Sequence, residues 1–298
     1  MRKQRIFPMI AILAAILVAL IAISGCGKKE APPAAPTKID FTTTYDGALK
    51  LAQEKNQKIL IDFYTDWCTW CKKLDTETYV DSAVIALSQN IVFTKLNAEV
   101  DTVTAAKYMV KAYPTIVLMN NDGTEIDRIA GYLPAGDFIK TVDDYLNGVN
   151  TLDYFLKKEA DSGANIELNS TIAQKYADRG MYADAEKYFQ KVLAADPDNA
   201  QKFGLQAMMA MGDVKMRDKK YDDAYAIFNN VLKKFATSES APEAQIYAAI
   251  ALRQKGDTTG AIKAFEAFIK AYPTSEDTAY AQKQIERLKN PTPAETGK

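Results

Sequence analysis

A short apolar run that leads directly into two closely spaced cysteines is the feature that most restricts the fold of this chain. The run KILIDFY (58–64) is rich in isoleucine and aromatic residues, which is typical of a strand buried in the centre of a sheet. The segment DWCTWCKK begins one residue after this run and contains Cys68 and Cys71. A helix that begins at Cys68 would place both sulfurs on the same face, one turn apart. The segment therefore predicts a buried strand, a short loop and a helix with a cysteine pair at its start.

The cysteine count and the absence of histidine limit what this pair can do. The chain has three cysteines, Cys26, Cys68 and Cys71, and no histidine. A structural zinc site needs four ligands, and many nucleophilic enzymes need a histidine base, so both classes are disfavoured. A structural disulfide is an alternative, although a bond across so short a loop constrains the unfolded chain little. The favoured interpretation is a redox couple in which exposed Cys68, near the free N–H groups of a helix start, attacks, and more buried Cys71 resolves the mixed disulfide.

Helix and strand patterns continue on both sides of the cysteine pair. Thr44 is a candidate N-cap for an amphipathic helix over TYDGALKLAQEKNQ, and Pro134 stands near the start of a helix over PAGDFIKTVDDYLNGV. Asp122-Gly123 between two apolar runs predicts a hairpin. The other predicted strands are NIVFTKLN (90–97), TIVLMNN (115–121) and TEIDRIAGY (124–132).

This order of elements resembles the thioredoxin superfamily over about residues 39–150. ILIDFYTDWCTWCKK is similar to the segment around the thioredoxin cysteines, and AYPTIVLMNNDG is similar to the loop whose proline is cis, here Pro114, with Gly131 matching a glycine after it. FYTDWCTWCKKLDTETY is especially similar to the periplasmic thioredoxin-like domain of transmembrane disulfide reductases. The resemblance implies an α/β fold with a central mixed sheet flanked by helices. Thr69-Trp70 is neither the Gly-Pro of thioredoxin nor the Pro-His of strong oxidants, which leaves the direction of electron flow open.

The same resemblance suggests which other residues take part. Asp62 interrupts an apolar strand, which is costly for a carboxylate unless it has a partner or a role, although it could also face water at a strand end. It matches the buried aspartate thought to relay a proton for the inner cysteine, and Lys95 matches the lysine beside it. The expected substrate-binding residues are Trp67, Trp70, Tyr113 and Pro114, of which the two tryptophans could equally be packing residues.

The N-terminal segment predicts export and a lipid anchor. A basic start and an apolar run from Pro8 to Ile23 have the layout of a secretory signal. ISGC, which ends at Cys26, resembles the lipobox of bacterial lipoproteins, whose cysteine carries diacylglycerol; the alternative is a retained transmembrane helix. We expect a signal peptide over 1–25, and a lipidated Cys26 with a Pro/Ala-rich tether over 26–38. The expected location is the cell envelope, facing the periplasm or the outside, with the outer membrane slightly favoured.

Beyond residue 150 the chain loses its strand patterns and repeats itself. Three segments align so that two columns recur at the same spacing, one of alanine and one of phenylalanine: Ala185, Ala224, Ala261 and Phe189, Phe228, Phe265. Each unit has the pattern of two amphipathic helices and resembles a tetratricopeptide repeat. We expect a linker over 151–168, an all-α solenoid with a capping helix over 169–290, and a disordered tail over 291–298. Such arrays bind peptides or proteins in a groove; a spacer or oligomerisation module is the alternative.

Together these patterns predict a membrane-anchored, extracytoplasmic thiol-disulfide oxidoreductase, more a reductase than an oxidase, whose repeats recruit a protein client. No nicotinamide or flavin fingerprint is present, so the redox-active disulfide Cys68–Cys71 would be the only redox group, with electrons from a membrane thiol carrier. The formal net charge of −1 gives no reason to expect nucleic-acid binding. The alternative is a non-enzymatic adaptor in envelope assembly, with the thioredoxin fold used as a binding module.

Overall fold

A computed structural model of the chain describes residues 36–291. The predicted signal peptide, Cys26 and most of the predicted tether lie outside the described residues, and so does the chain from residue 292 onward. Within the described part, none of the helices combines the length and the apolar character that a membrane span requires.

Within residues 36–291, four strands form one mixed sheet in the order β2-β1-β3-β4. The apolar cysteine-leading run is β1, which pairs in parallel with β2 and antiparallel with β3, while β3 pairs antiparallel with β4. The predicted strands and hairpin are therefore present. The strands are β1 (Lys58–Tyr64), β2 (Ile91–Asn97), β3 (Thr115–Met119) and β4 (Glu125–Ala130).

Helices cover both faces of this sheet. Alternate residues of β1 point to opposite faces, so Leu60 joins a core with Phe93 and Phe138, while Ile61 and Phe63 join a second core on the other face. With both faces buried, the observed architecture is the predicted α/β fold of a mixed sheet flanked by helices. The flanking helices are α1 (Tyr45–Lys55), α2 (Thr69–Lys73), α3 (Ser82–Leu87), α4 (Thr102–Lys107) and α5 (Ala135–Leu146).

Local signals in the sequence fix the ends of several elements. The Thr44 side chain accepts a hydrogen bond from the N–H of Gly47 and caps α1, as predicted. Pro134 is the N-cap of α5. In the β3–β4 hairpin Gly123 has φ +84°, a backbone conformation that favours glycine. Helix α2 continues into a π-helical turn, Leu74–Thr78. The N–H of Tyr79, its C-cap, donates to the Leu74 carbonyl, five residues earlier.

The C-terminal part of the described chain is all-helical. Both repeated columns are buried: the alanines Ala185, Ala224 and Ala261 and the phenylalanines Phe189, Phe228 and Phe265 lie in α8, α10 and α12, where they pack against neighbouring helices. Small residues allow the helices to approach closely, and each phenylalanine fills the space between them. The helices are α6 (Leu152–Ser162), α7 (Ile166–Asp178), α8 (Tyr182–Ala195), α9 (Gly204–Arg217), α10 (Tyr221–Lys234), α11 (Ala241–Lys255), α12 (Thr258–Ala271) and α13 (Thr278–Lys289).

The segment 151–168, predicted as a linker, differs from that expectation. It forms α6 and the first residues of α7. Thr151 caps α6 by accepting a hydrogen bond from the N–H of Tyr154, and Leu152 is buried against Leu168 and Ile172 of α7. Because this segment buries an apolar face of its own, it is a packed helix and not a flexible connection.

A group of buried ionic contacts joins the sheet to the first repeat helix. Asp127 of β4 is fully buried, and its Oδ2 accepts a hydrogen bond of 2.7 Å from the N–H of Leu152. Its Oδ1 lies 3.1 Å from Nζ of Lys175, which is in α7, and 3.1 Å from Nη2 of Arg179, the C-cap of α7. Arg128, also buried, pairs with Glu125 through two hydrogen bonds. These contacts, which we call the junction, fix the start of the helical region on the outer strand of the sheet.

Candidate active site

The two cysteines form a disulfide at the start of α2. Cys68 is the N-cap of this helix and Cys71 lies one turn inside it, as the spacing predicted. The Sγ of Cys68 accepts a hydrogen bond of 3.0 Å from the N–H of Cys71. In the reduced protein the Cys71 N–H would stabilise a thiolate on Cys68, since the N–H groups and the dipole at a helix start favour negative charge.

Both cysteines are nearly inaccessible in this oxidised structure. Cys68 is 4% exposed and Cys71 is 2% exposed, so the expected contrast between an exposed and a buried thiol is not observed. The physical reason is the bond itself, because it holds the Cys68 sulfur over the first turn of α2, against Cys71. The difference in roles between the two cysteines therefore depends on their positions in the helix and not on their exposure in this state.

The Tyr113–Pro114 peptide bond is cis, as the resemblance implied. Pro114 is buried immediately before β3, and its carbonyl accepts a hydrogen bond of 2.9 Å from the N–H of Gly131 at the end of β4. Gly131 has φ +95°, which a residue with a side chain adopts only with strain. This hydrogen bond joins the residue before β3 to the residue after β4, at the end of the hairpin opposite its turn.

Both tryptophans of the motif are exposed and supported from one side. Trp67 is 65% exposed, contacts the edge of Tyr113 with ring centres 5.8 Å apart, and donates from Nε1 to Glu99 at 2.8 Å. Trp70 is 55% exposed, and its ring centre lies 5.7 Å from that of Tyr132. Their exposure fits the predicted use as a contact surface for substrate, which stays a prediction.

Asp62 and Lys95 lie side by side in β1 and β2, as the resemblance implied. Asp62 is fully buried, and its Oδ2 lies 3.7 Å from Lys95 Nζ, which also contacts Asp75 in the π-helical turn. Neither carboxylate oxygen of Asp62 receives a hydrogen bond from the described residues. Burial raises the pKa of Asp62 to about 7; Lys95 opposes this rise and Asp75 adds to it. A carboxyl with a pKa near neutrality can both take and release a proton, which is what a proton relay requires.

Four residues near the site were not found from the sequence. Glu99 and Tyr132 support the two tryptophans, Lys73 lies over Trp70, and Asp75 contacts Lys95. Two signals could have found part of this set. Tyr132 directly follows Gly131, which the motif match singled out, and Asp75 lies about one helical turn after the second cysteine.

Comparison with known proteins agrees with this geometry. A family model described as a thioredoxin-like domain matches residues 45–146, and a model described as a tetratricopeptide repeat matches residues 209–276. The chain carries a thioredoxin-like domain followed by tetratricopeptide repeats. Because Cys68 and Cys71 form the expected disulfide in this domain, it is a thioredoxin-like disulfide oxidoreductase domain. The repeat model covers α10 to α12 and most of α9, so the first helical pair, α7 and α8, lies before the match.

The curated relatives of the thioredoxin-like domain include two named thiol:disulfide interchange protein DsbD. The protein of Pasteurella multocida is 30% identical over 95 residues, which cover 30% of this chain and 16% of the relative. The protein of Salmonella typhimurium is 30% identical over 141 residues, which cover 43% of this chain and 24% of the relative. A solved structure named DsbH oxidoreductase is 18% identical, covers 42% of this chain and 95% of its own, and has a TM-score of 0.34. The chain thus spans only a small part of these two curated relatives.

Proposed function

We propose that the protein is a membrane-anchored, extracytoplasmic thiol-disulfide oxidoreductase that works as a reductase on protein clients. The observation that carries this proposal is the Cys68–Cys71 disulfide at the start of α2, and the cis peptide bond before Pro114 supports it. The names of the matched relatives, which are thiol:disulfide interchange proteins, support the reaction class. The redox-active disulfide is the only redox group that the proposal needs.

The reaction starts from the reduced protein. The Cys68 thiolate attacks one sulfur of the client disulfide, so that a bond forms between Cys68 and the client while the other client sulfur leaves as a thiolate and takes a proton. Cys71, after losing its proton, then attacks the Cys68 sulfur, closes the Cys68–Cys71 disulfide and releases the second client thiol. Asp62 takes the proton from Cys71 and later releases it to solvent, while the second client sulfur leaves as a thiolate and takes a proton from solvent. Two electrons pass to the client, and a membrane thiol carrier supplies two electrons to reduce the protein again.

Location and direction depend on sequence features. The apolar run before Cys26 and the ISGC pattern support a lipid anchor outside the cytosol. The similarity of the motif to the reductase branch, and the absence of a Pro-His dipeptide between the cysteines, support reduction as the direction. The helical repeats bind a protein partner or hold the client while the thioredoxin-like domain reacts with it.

Reduction of insulin by dithiothreitol tests the activity. The wild-type protein accelerates the reaction, Cys68→Ser abolishes the acceleration, and Cys71→Ser gives a stable mixed disulfide with insulin that gel electrophoresis detects without reductant. A wild-type protein with no turnover that depends on Cys68 would contradict the enzymatic proposal and favour an adaptor whose thioredoxin-like domain only binds partners.

Labelling with an alkyne fatty acid in a bacterial host tests the anchor. The wild-type protein takes up the label and sediments with membranes, and Cys26→Ala loses both the label and the cleavage after Gly25. Continued labelling and cleavage of Cys26→Ala would contradict the assignment of Cys26.

A further inference from the structure

Two exposed indoles flank the disulfide, and the fold supports them in a matching way. Trp67 precedes the first cysteine and packs on Tyr113; Trp70 lies between the cysteines and packs on Tyr132. Both tyrosines lie next to the same backbone hydrogen bond, in which the Gly131 N–H donates to the Pro114 carbonyl. Tyr113 directly precedes Pro114, and Tyr132 directly follows Gly131.

The two indoles contact different parts of the fold. Trp67 is bound through Glu99 to the loop that follows β2, at one edge of the sheet. Trp70 contacts Tyr132, which lies two residues after the end of β4, the strand at the opposite edge. The cysteine pair follows β1, a central strand.

The Trp70 side is held in place before any client arrives. The Tyr132 hydroxyl donates to Glu77 at 2.6 Å, and the Lys73 ammonium lies 4.7 Å from the Tyr132 ring centre and 5.3 Å from that of Trp70. Lys73 is also 3.8 Å from Glu77. With its support in place, Trp70 still leaves 55% of its surface exposed. An aromatic surface fixed in advance loses little freedom on binding, so contact with it adds to affinity.

Packing alone does not account for this arrangement. A packing residue would bury its ring, whereas the Trp70 ring faces solvent within the four-residue motif that must touch any client. Every polypeptide joined to Cys68 by a mixed disulfide has to pass close to residue 70. The indole is therefore placed to contact the side chains next to the client cysteine.

We propose that Trp70, Tyr132 and Lys73 form a second client subsite that binds a large aromatic side chain close to the reacting cysteine of an extended polypeptide. The inference rests on the proposed function, because it assumes that Cys68 attacks a client disulfide. Trp70 and Tyr132 offer ring contacts, and the Lys73 ammonium adds a cation–π contact to an aromatic side chain. The subsite strengthens association with the client in the first exchange step; it plays no part in the later attack of Cys71 on Cys68.

Peptide disulfides of graded sequence test the subsite. Each probe is an alanine-rich peptide whose single cysteine is joined to glutathione by a disulfide. The residue directly before this cysteine and the residue directly after it are each phenylalanine or alanine. The full chain carrying Cys71→Ser, which stops after the first step, is reduced and mixed with each probe, and the rate of mixed-disulfide formation is followed by acid quench and mass spectrometry. We expect phenylalanine in at least one position to raise the second-order rate constant by about two- to tenfold over alanine.

The ratio of the phenylalanine rate to the alanine rate is then measured in variants. Tyr132→Ala and Lys73→Ala lower this ratio towards one, while Tyr132→Phe, which keeps the ring, retains most of it. Tyr225→Ala removes an exposed tyrosine from the repeats and serves as the control that keeps the ratio. Near-ultraviolet circular dichroism checks that each variant is folded.

The outcomes separate the subsite from the proposed function. A protein that reacts with the alanine probes but shows the same phenylalanine ratio in Tyr132→Ala and Lys73→Ala overturns the subsite and leaves the oxidoreductase intact. A protein whose Cys68 reacts with none of the probes overturns both. A ratio that falls equally in Tyr225→Ala also overturns the subsite, since the effect would then be unrelated to the surface around Trp70.

Discussion

Replacing Asp62 by asparagine is expected to make the thioredoxin-like domain more stable at neutral and alkaline pH. The Asp62 carboxyl is fully buried and lacks hydrogen bonds from the described residues, so its ionised form is poorly stabilised in the folded protein. Its pKa of about 7 is well above the ordinary value of 3.8. The amide of Asp62→Asn has a similar shape and cannot ionise, so it removes this cost.

The sign and size of the effect follow from the two pKa values. Between about pH 4 and pH 7 the unfolded chain has lost the Asp62 proton and the folded chain has kept it, so wild-type stability falls as the pH rises through this range. A difference of about three pKa units corresponds to about 4 kcal/mol at pH 8 and to almost nothing at pH 4. With ordinary urea dependence, the transition midpoint of Asp62→Asn should exceed that of the wild type by about 1–2 M at pH 8.

Urea unfolding followed by tryptophan fluorescence measures this effect, because both tryptophans of the chain are in the thioredoxin-like domain. The oxidised wild-type protein and Asp62→Asn are compared at pH 4, 6 and 8. Asp66→Asn, which removes an exposed carboxylate close to the same site, is the matched control and should show no growing advantage. An advantage of Asp62→Asn that is equal at all three pH values, or that shrinks as the pH rises, would refute the reasoning.

Three further outcomes are expected. Iodoacetamide should alkylate Cys68 before Cys71 in the reduced protein, with an apparent pKa below that of a free cysteine; mass spectrometry that finds Cys71 modified first would reverse the two roles. Asp127→Ala should destabilise the protein by about 3–5 kcal/mol in urea unfolding, because it leaves buried cations unpaired; a loss under about 1 kcal/mol would count against the junction. Gly212→Ala should cost about 1–3 kcal/mol, as a Cβ there would lie 2.5 Å from the Phe228 ring; a Tm equal to that of the wild type would contradict this.

The part of the fold that was predictable from sequence has local or periodic signals. The β1 strand, the helix start at Cys68 and the buried alanine and phenylalanine columns follow from apolar patterns that each element carries by itself. The cis bond before Pro114 came from the motif match, not from the residues alone.

The parts that were missed depend on partners far away in the chain. In the sequence EIDRIA, Asp127 and Arg128 have the pattern of exposed strand positions, yet both are buried because Lys175, Arg179 and the Asp178 carbonyl cover them. Helix α6 has the composition of a polar connector, and its burial of Leu152 is evident only when α7 is in place. The two partners of each contact are far apart in the sequence, so no short segment contains both.

The junction has a consequence for how a client would reach the disulfide. Asp127 binds the first N–H of α6, Lys175 of α7 and Arg179 at the end of α7, so the start of the helical region is attached to the sheet that carries the cysteine pair. A partner bound to the repeats therefore presents its cysteines at a high effective concentration only when its intervening segment matches the span from the repeats to Cys68. A shorter segment would not reach Cys68, and a much longer one would dilute the reacting sulfur, so this attachment would select clients by the distance between two of their parts.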